Sequence, residues 1–204
     1  VSPQANWEWN QTIDPNSPQL SYSNFDVRHR SISNVSYTHK WKKVLNKSIV
    51  SLIFNAQSGS PFTYIYSGDI NRDGSPNNDL IYVPAGKSEI ELVDIKDAGG
   101  NTLISVDEQW EQLVAYIDND SYLKSRKGNY VERNGGRTPW NNQLDLRISN
   151  DVKLGKKTKS NLQFIVDIIN FTNLINRNWG HQYFVPNTTN AGYSLLTVKS
   201  INSA

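Results

Sequence analysis

The chain contains no cysteine, so it holds no disulfide framework, no thiolate metal site and no cysteine nucleophile. It has little net charge: 21 Lys and Arg against 19 Asp and Glu leave +2. That is too near balance for a nucleic-acid partner or a polybasic membrane contact. Long hydrophobic runs are also missing. Hydrophobic residues make up 37% and mean hydropathy is −0.59, and no apolar run approaches the roughly 20 residues a membrane helix needs. Histidine is scarce. His29, His39 and His181 are the only three, none at HxH or HxxxH spacing, so none reads as a ligand or catalyst. There is no GxSxG elbow and no ordered Ser, His, Asp set. The expectation is that the protein is not an enzyme and has no catalytic residue.

What is present points to β-structure. Aromatic residues reach 11% among abundant Asn and Ser, too aromatic for disorder and too rich in Asn and Ser for a mainly helical protein. Strands with polar loops suit this mixture. A β-barrel is compatible with negative hydropathy, because only every second residue of its strands must be apolar.

Four segments alternate with a period of two. In Gln143 to Leu154, Leu144, Leu146, Ile148, Val152 and Leu154 share a face with Asn150, while Gln143, Asp145, Arg147, Ser149, Asp151 and Lys153 lie opposite. A helix does not produce that pattern. Ser48 to Gln57 places Val50, Leu52, Phe54 and Ala56 on one face with Ser48, while Ser51, Asn55 and Gln57 sit opposite with two isoleucines. Asn161 to Phe171 does the same with Leu162, Phe164, Val166 and Ile168. Asp26 to Trp41 is the weakest, with Val27, Val35, Tyr37 and Trp41 sharing a face with two serines and two histidines, opposite Asp26, Arg28, Arg30, Asn34, Thr38 and Lys40. Short basic turns, 42–47 and 155–160, join the first pair and the last pair. A long stretch separates the second strand from the third. Alternation alone fits both an outer-membrane barrel, with short periplasmic turns and long extracellular loops, and a soluble sandwich. Strands of this length favour tilted membrane spans of about 9–11 residues. In that reading Leu144, Leu146, Ile148 and Val152 face lipid, and Arg28, Arg30, Asp145, Arg147 and Asp151 face the lumen. Lys153, Lys156, Lys157 and Lys159 read as a solvated turn.

Within the long loop, 106–118 reads as a helix capped by Asp107, with Trp110, Leu113, Val114 and Ile117 at i, i+3, i+4, i+7. Residues 88–105 read as a hairpin around Ala98-Gly99-Gly100-Asn101. Asp69-Ile70-Asn71-Arg72-Asp73-Gly74 sets oxygens at positions 1, 3 and 5 before a glycine, as a calcium loop does. Leu80 falls where such a loop places its bidentate Glu. A structural Ca²⁺ on Asp69, Asn71, Asp73 and Asp79 stands against a polar turn whose side chains cap their own backbone. Trp7, Trp9, Trp140 and Trp179 fall near strand ends, as interfacial or loop-packing residues.

Several stretches resemble the C-terminal barrel of TonB-dependent outer-membrane receptors of the Oar-like Bacteroidetes type, whose chains often begin with a carboxypeptidase-regulatory-like domain. They are Ser58-Gly59-Ser60-Pro61-Phe62, Gly68-Asp69-Ile70-Asn71-Arg72-Asp73-Gly74, Asn78-Asp79-Leu80-Ile81-Tyr82-Val83-Pro84, and Phe25-Asp26-Val27-Arg28-His29-Arg30. Glu132-Arg133-Asn134-Gly135, Pro139-Trp140 before Leu144-Asp145-Leu146-Arg147, Asp167 to Leu174, and Asn178-Trp179-Gly180 continue the likeness. Each is weak alone, and the ordered set is specific.

The resemblance implies an all-β fold: an antiparallel transmembrane segment of a barrel of about 22 strands, with long extracellular loops and one loop helix. Residues 1–204 are then expected to be part of that barrel, with plug, earlier strands and final strand lying elsewhere. It also implies outer-membrane location, contact with membrane lipid, an unidentified extracellular nutrient, and coupling to the TonB complex through N-terminal parts. The rival readings are a secreted β-sandwich binding calcium or carbohydrate, and a barrel that anchors other surface proteins without transport. Residues 193–201 alternate and read as either a returning strand or, preferably, a loop hairpin.

Overall fold

A computed structural model of the chain describes residues 8–42, 45–155, 160–186 and 192–200, with the Leu45 side chain left aside. Trp7 and Lys156, Lys157 and Lys159 lie outside the described residues. In chain order the strands are β1 (Arg30–Lys40), β2 (Leu45–Gln57), β3 (Pro61–Ser67), β4 (Tyr82–Val83), β5 (Ile95–Lys96) and β6 (Thr102–Ile104). Helices α1 (Val106–Asn119) and α2 (Ser121–Ser125) follow. Then come β7 (Asn129–Tyr130), β8 (Gly136–Arg137), β9 (Asn141–Lys153), β10 (Asn161–Ile168), helix α3 (Phe171–Ile175) and β11 (Gly192–Thr197). No helix among the described residues is long and apolar enough to cross a membrane.

The chain divides into two compact units. The strand unit is Asp26–Ser60 with Thr138–Phe184; the loop unit is Val1–Phe25, Pro61–Arg137 and Val185–Ala204. In the strand unit, β1, β2, β9 and β10 form one sheet in that order, every pair antiparallel. The sheet is open: among the described residues no barrel closes and, within this unit, no second sheet covers either face.

Each alternating segment is a strand, with shifted ends. β1 begins at Arg30, so Arg28 lies before the strand and not on its inward face; it pairs with Asp26 at 3.7 Å. β10 stops at Ile168, short of the expected Phe171, because Asn170 enters the left-handed region (φ 56°) and starts α3.

The loop unit has its own core of Phe62, Tyr64, Leu80, Ile81, Val83, Leu113, Ile117, Leu123 and Val131. α1 buries Leu113 and Ile117, as its period demands. Its cap is Ser105, whose side chain accepts from the Glu108 N–H, and not Asp107, which forms an ion pair with Lys87. The expected hairpin appears as β5 and β6, its turn held by Asp97 Oδ1 accepting from the Gly99 and Asn101 N–H groups. The Asn101 side-chain amide, which donates to Asp97 Oδ2 at 3.0 Å, together with those backbone N–H groups holds the Asp97 carboxyl below the usual carboxylate range.

β11 corrects the reading of 193–201. It is neither a returning barrel strand nor half of a hairpin. It pairs in parallel with β3, which pairs antiparallel with β8. A buried polar knot sits beside this sheet. Thr63 Oγ1 donates to Gln11 Oε1 (2.6 Å) and accepts from the Asn134 N–H (2.9 Å), and Asn134 Nδ2 donates to the Tyr22 carbonyl and to Asn24 Oδ1. Gly136 packs so close to the Phe62 ring that a Cβ there would fall 2.8 Å from it.

Candidate functional site

Strand register decides what the sheet presents. Val35, Leu52, Leu146 and Ile168 lie side by side in one row, and Tyr37, Val50, Ile148 and Val166 in the next but one. Phe54 opposes Leu144, and Val152 opposes Leu162. The other face carries Ser36, Ser51, Arg147 and Asp167 in one row, and Lys40, Lys47, Asp151 and Gln163 in another. A slip of one residue in any pair would exchange the two faces of a strand, so the alternation of four separate segments has been brought into phase. The aliphatic face is open, with Val35 69%, Phe164 55% and Val166 56% exposed within the described chain.

Arg30, Lys47, Asp145, Arg147, Asp151 and Asp167 on the opposite face are each partnered. Arg147 holds Asp167 through two bonds, Nε to Oδ1 at 2.6 Å and Nη2 to Oδ2 at 2.9 Å. Asp151 lies 3.3 Å from the Lys47 ammonium and accepts from Gln163 at 2.9 Å. Asp145 accepts from Gln143 and from the Asn170 N–H, and Arg30 donates to Asn55. A solvent-exposed ion pair is worth only about 0.2–1 kcal/mol. These pairs therefore keep charge on one face more than they hold the sheet together.

At the end of the sheet away from the short turns lies a cavity of about 350 Å³ lined by Phe54, Trp140, Leu144, Trp179 and Tyr183 together with Asn142, Thr172, Asn178, Gly180 and His181. Its wall is an Asn-rich turn after β10. Asn170 Nδ2 donates to the Gly180 carbonyl (3.1 Å), and Asn173 Nδ2 donates to the carbonyls of Arg177 and Trp179. Gly180 has φ +65°, and a Cβ there would meet Asn170 Oδ1 at 1.9 Å. Only glycine lets the chain pass this close in the left-handed region. The sequence reading placed Trp140 and Trp179 near strand ends but missed this cavity, because no periodicity announces a turn closed by asparagine side chains.

In the loop unit, the Asp69 segment is folded on itself. Asp69 Oδ1 and Asn71 Oδ1 both accept from the Asp73 N–H, at 3.1 and 2.9 Å, and Asp69 Oδ2 accepts from the Gly74 N–H at 2.8 Å. Asp73 accepts from the Ser75 N–H and from Asn78 Nδ2, and Asp79 accepts from the Ile70 N–H. Arg72 and Gly74, both at positive φ, make the curl possible. Burial pushes the Asp79 carboxyl up, against the pull of the N–H groups it accepts from. Backbone and amide N–H groups thus meet side-chain oxygens of Asp69, Asn71, Asp73 and Asp79. Among the described residues, no group of three or more His, Cys, Asp or Glu is placed to hold a metal ion.

The chain matches the family described as outer membrane beta barrel domain over residues 2–200. No curated protein and no solved structure gives a significant match. A match over nearly the whole length joins the two-faced sheet to its setting: the chain belongs to the outer membrane beta barrel domain family, and its place is the outer membrane.

Proposed function

We propose that the protein is a TonB-dependent receptor of the Oar-like type, that its strand unit contributes wall to the barrel, and that its loop unit stands outside the cell. The observation that carries this reading is the phased register. Four antiparallel strands place Val35, Val50, Leu52, Leu144, Leu146, Ile148, Val152, Leu162 and Val166 on one face, and their charges on the other, where Ile32, Ile49, Ile53 and Ile165 stand among them. In lipid every backbone polar group must be satisfied by a neighbouring strand, and a lipid-facing surface must be apolar while the lumen stays polar. Leu144, Leu146, Ile148 and Val152 then meet lipid, and Arg30, Asp145, Arg147 and Asp151 line the lumen. The short turns face the periplasm. The loop unit, folded around its own core, takes part in capturing a nutrient, and the protein performs no covalent chemistry.

The test is mechanical coupling. Full-length protein in detergent is expected to bind the purified periplasmic domain of TonB, and a deletion of its N-terminal coupling segment is expected to abolish that binding. Wild-type protein that shows no binding leaves the anchoring barrel, which transports nothing, as the better account.

A second proposal concerns the Asp69 segment: a structural Ca²⁺ held by Asp69, Asn71 and Asp73, with Asp79 as a further ligand. What favours it is convergence, since the oxygens of Asp69 and Asn71 meet at the Asp73 N–H. An oxygen that accepts one N–H keeps a lone pair for a hard cation, and millimolar sites suffice outside a cell. Calorimetry on the full-length protein is expected to give calcium heat that Asp69→Asn with Asp73→Asn removes. No heat in the wild type reduces the loop to backbone capping.

A further inference from the structure

We propose that the cavity at the end of the sheet away from the short turns is a binding site for a neutral, sugar-headed lipid of the outer leaflet. The proposal rests on the reading that the aliphatic face meets lipid. Its lining includes the Phe54–Leu144 pair, which begins the aliphatic rows running down the sheet. An acyl chain lying along those rows therefore enters the cavity without leaving apolar surface. Its rim is aromatic: Trp140, Trp179 and Tyr183 are each about half exposed, at 50, 51 and 52%. Amphipathic rings sit where lipid meets water, and their flat faces also receive the C–H faces of a sugar ring.

The polar lining selects the headgroup. Asn142, Thr172, Asn178 and His181 line the cavity, and among the described residues no Lys or Arg does. A phosphate recognised without Lys or Arg loses its strongest partners, whereas hydroxyls are well served by carboxamides. The side-chain amides of Asn142 and Asn178 make no hydrogen bond to other described residues. About 350 Å³ is within the usual range for small-molecule sites. The wall is prebuilt by the Asn170–Gly180 clasp, so little ordering is left to be done on binding.

The experiment uses full-length protein in phosphatidylethanolamine nanodiscs doped with a diacyl disaccharide glycolipid or with an equal amount of phosphatidylglycerol. Native mass spectrometry after release is expected to show the glycolipid retained at least tenfold over phosphatidylglycerol. Asn142→Leu with Asn178→Leu, which keeps the aromatic rim, is expected to lose most of that preference. Leu162→Ala, on the same face at the other end of the sheet, is expected to keep it. Equal retention of the two lipids overturns the proposal, as does a preference untouched by the double substitution. A deacylated disaccharide that competes as well as the intact glycolipid also overturns it, and makes the cavity a soluble-sugar site. Failure of the underlying reading looks different. Brominated acyl chains would then leave unquenched the fluorescence that a Trp140→Phe, Trp179→Phe variant lacks.

Discussion

Leu146→Arg in the full-length protein is expected to cost about 2–4 kcal/mol of folding stability in a bilayer, the depth-dependent penalty of a cation near the midplane of a barrel's lipid face. Leu146 sits near the middle of β9, between Leu52 on β2 and Ile168 on β10. An arginine there has no short path to either interface, although its stem would cover some apolar surface. Thr38→Arg is the matched control. Thr38 lies on the polar face of β1, opposite Ile49 and across β2 from Ser149, and is exposed. Its cost is expected to stay below about 1 kcal/mol, in the range of ordinary surface substitutions. Ser149 itself is a poorer control, because it is only 7% exposed and an arginine there would be overpacked. Reversible refolding into vesicles, followed by denaturant titration, gives both numbers. Equal costs would mean that the aliphatic face does not meet lipid, whatever its pattern.

The strand unit was legible because its physics is periodic. A surface that is apolar on one side and polar on the other writes itself into every second residue, as in Leu144, Leu146 and Ile148 against Asp145 and Arg147. The ends were not legible. β10 ends where Asn170 turns left-handed, and nothing in Asp167-Ile168-Ile169-Asn170 distinguishes that residue from one more strand position. The loop helix was legible for the same periodic reason, and its cap was missed because Ser105 and Asp107 both suit an N-terminus.

Most of the loop unit was hidden because it is not two-faced. In β3, Phe62, Thr63, Tyr64 and Ile65 are all buried, so burial erases the alternation that would have announced a strand. β4, β7 and β8 are two residues long, below any pattern. β11 pairs in parallel with a segment far away in sequence, and with a register shift between Ser194 and Leu196. The Asp69 segment shows a different limit. The spacing of Asp69, Asn71 and Asp73 called for positive partners, and a cation and a set of N–H groups satisfy that demand equally well on paper. Only the fold showed that Gly74, Ser75 and Ile70 turn their N–H groups toward the carboxylates.

Because the loop unit carries its own core, damage there should stay there. Ile117→Ala is expected to destabilise the loop unit by about 2–5 kcal/mol, the usual range when a large aliphatic side chain is removed from a packed interior. Ile117 is 1% exposed, on the buried stripe of α1 with Leu113, in a core that also holds Tyr64, Ile81, Val83 and Leu123. The core has a polar boundary that limits repacking: the Tyr64 hydroxyl donates to Asp120 Oδ2 at 2.6 Å, while Asp120 Oδ1 accepts from the Tyr122 and Leu123 N–H groups and so caps α2. Burial raises the Tyr64 hydroxyl well above the usual phenol range, so it stays protonated and keeps donating across the accessible pH range. With that end fixed, the void left by Ile117 has little freedom to collapse, which places the cost toward the upper part of the range. Hydrogen exchange on the full-length protein separates the units. Amides of α1, α2 and β3 are expected to exchange many-fold faster in Ile117→Ala, and those of β2 and β9 at the wild-type rate. The double variant with Leu146→Arg is expected to show the two losses added, since the two residues belong to different units and sites with no shared partners behave independently. Protection lost in β2 and β9 as well would mean that the loop core and the strand wall unfold as one.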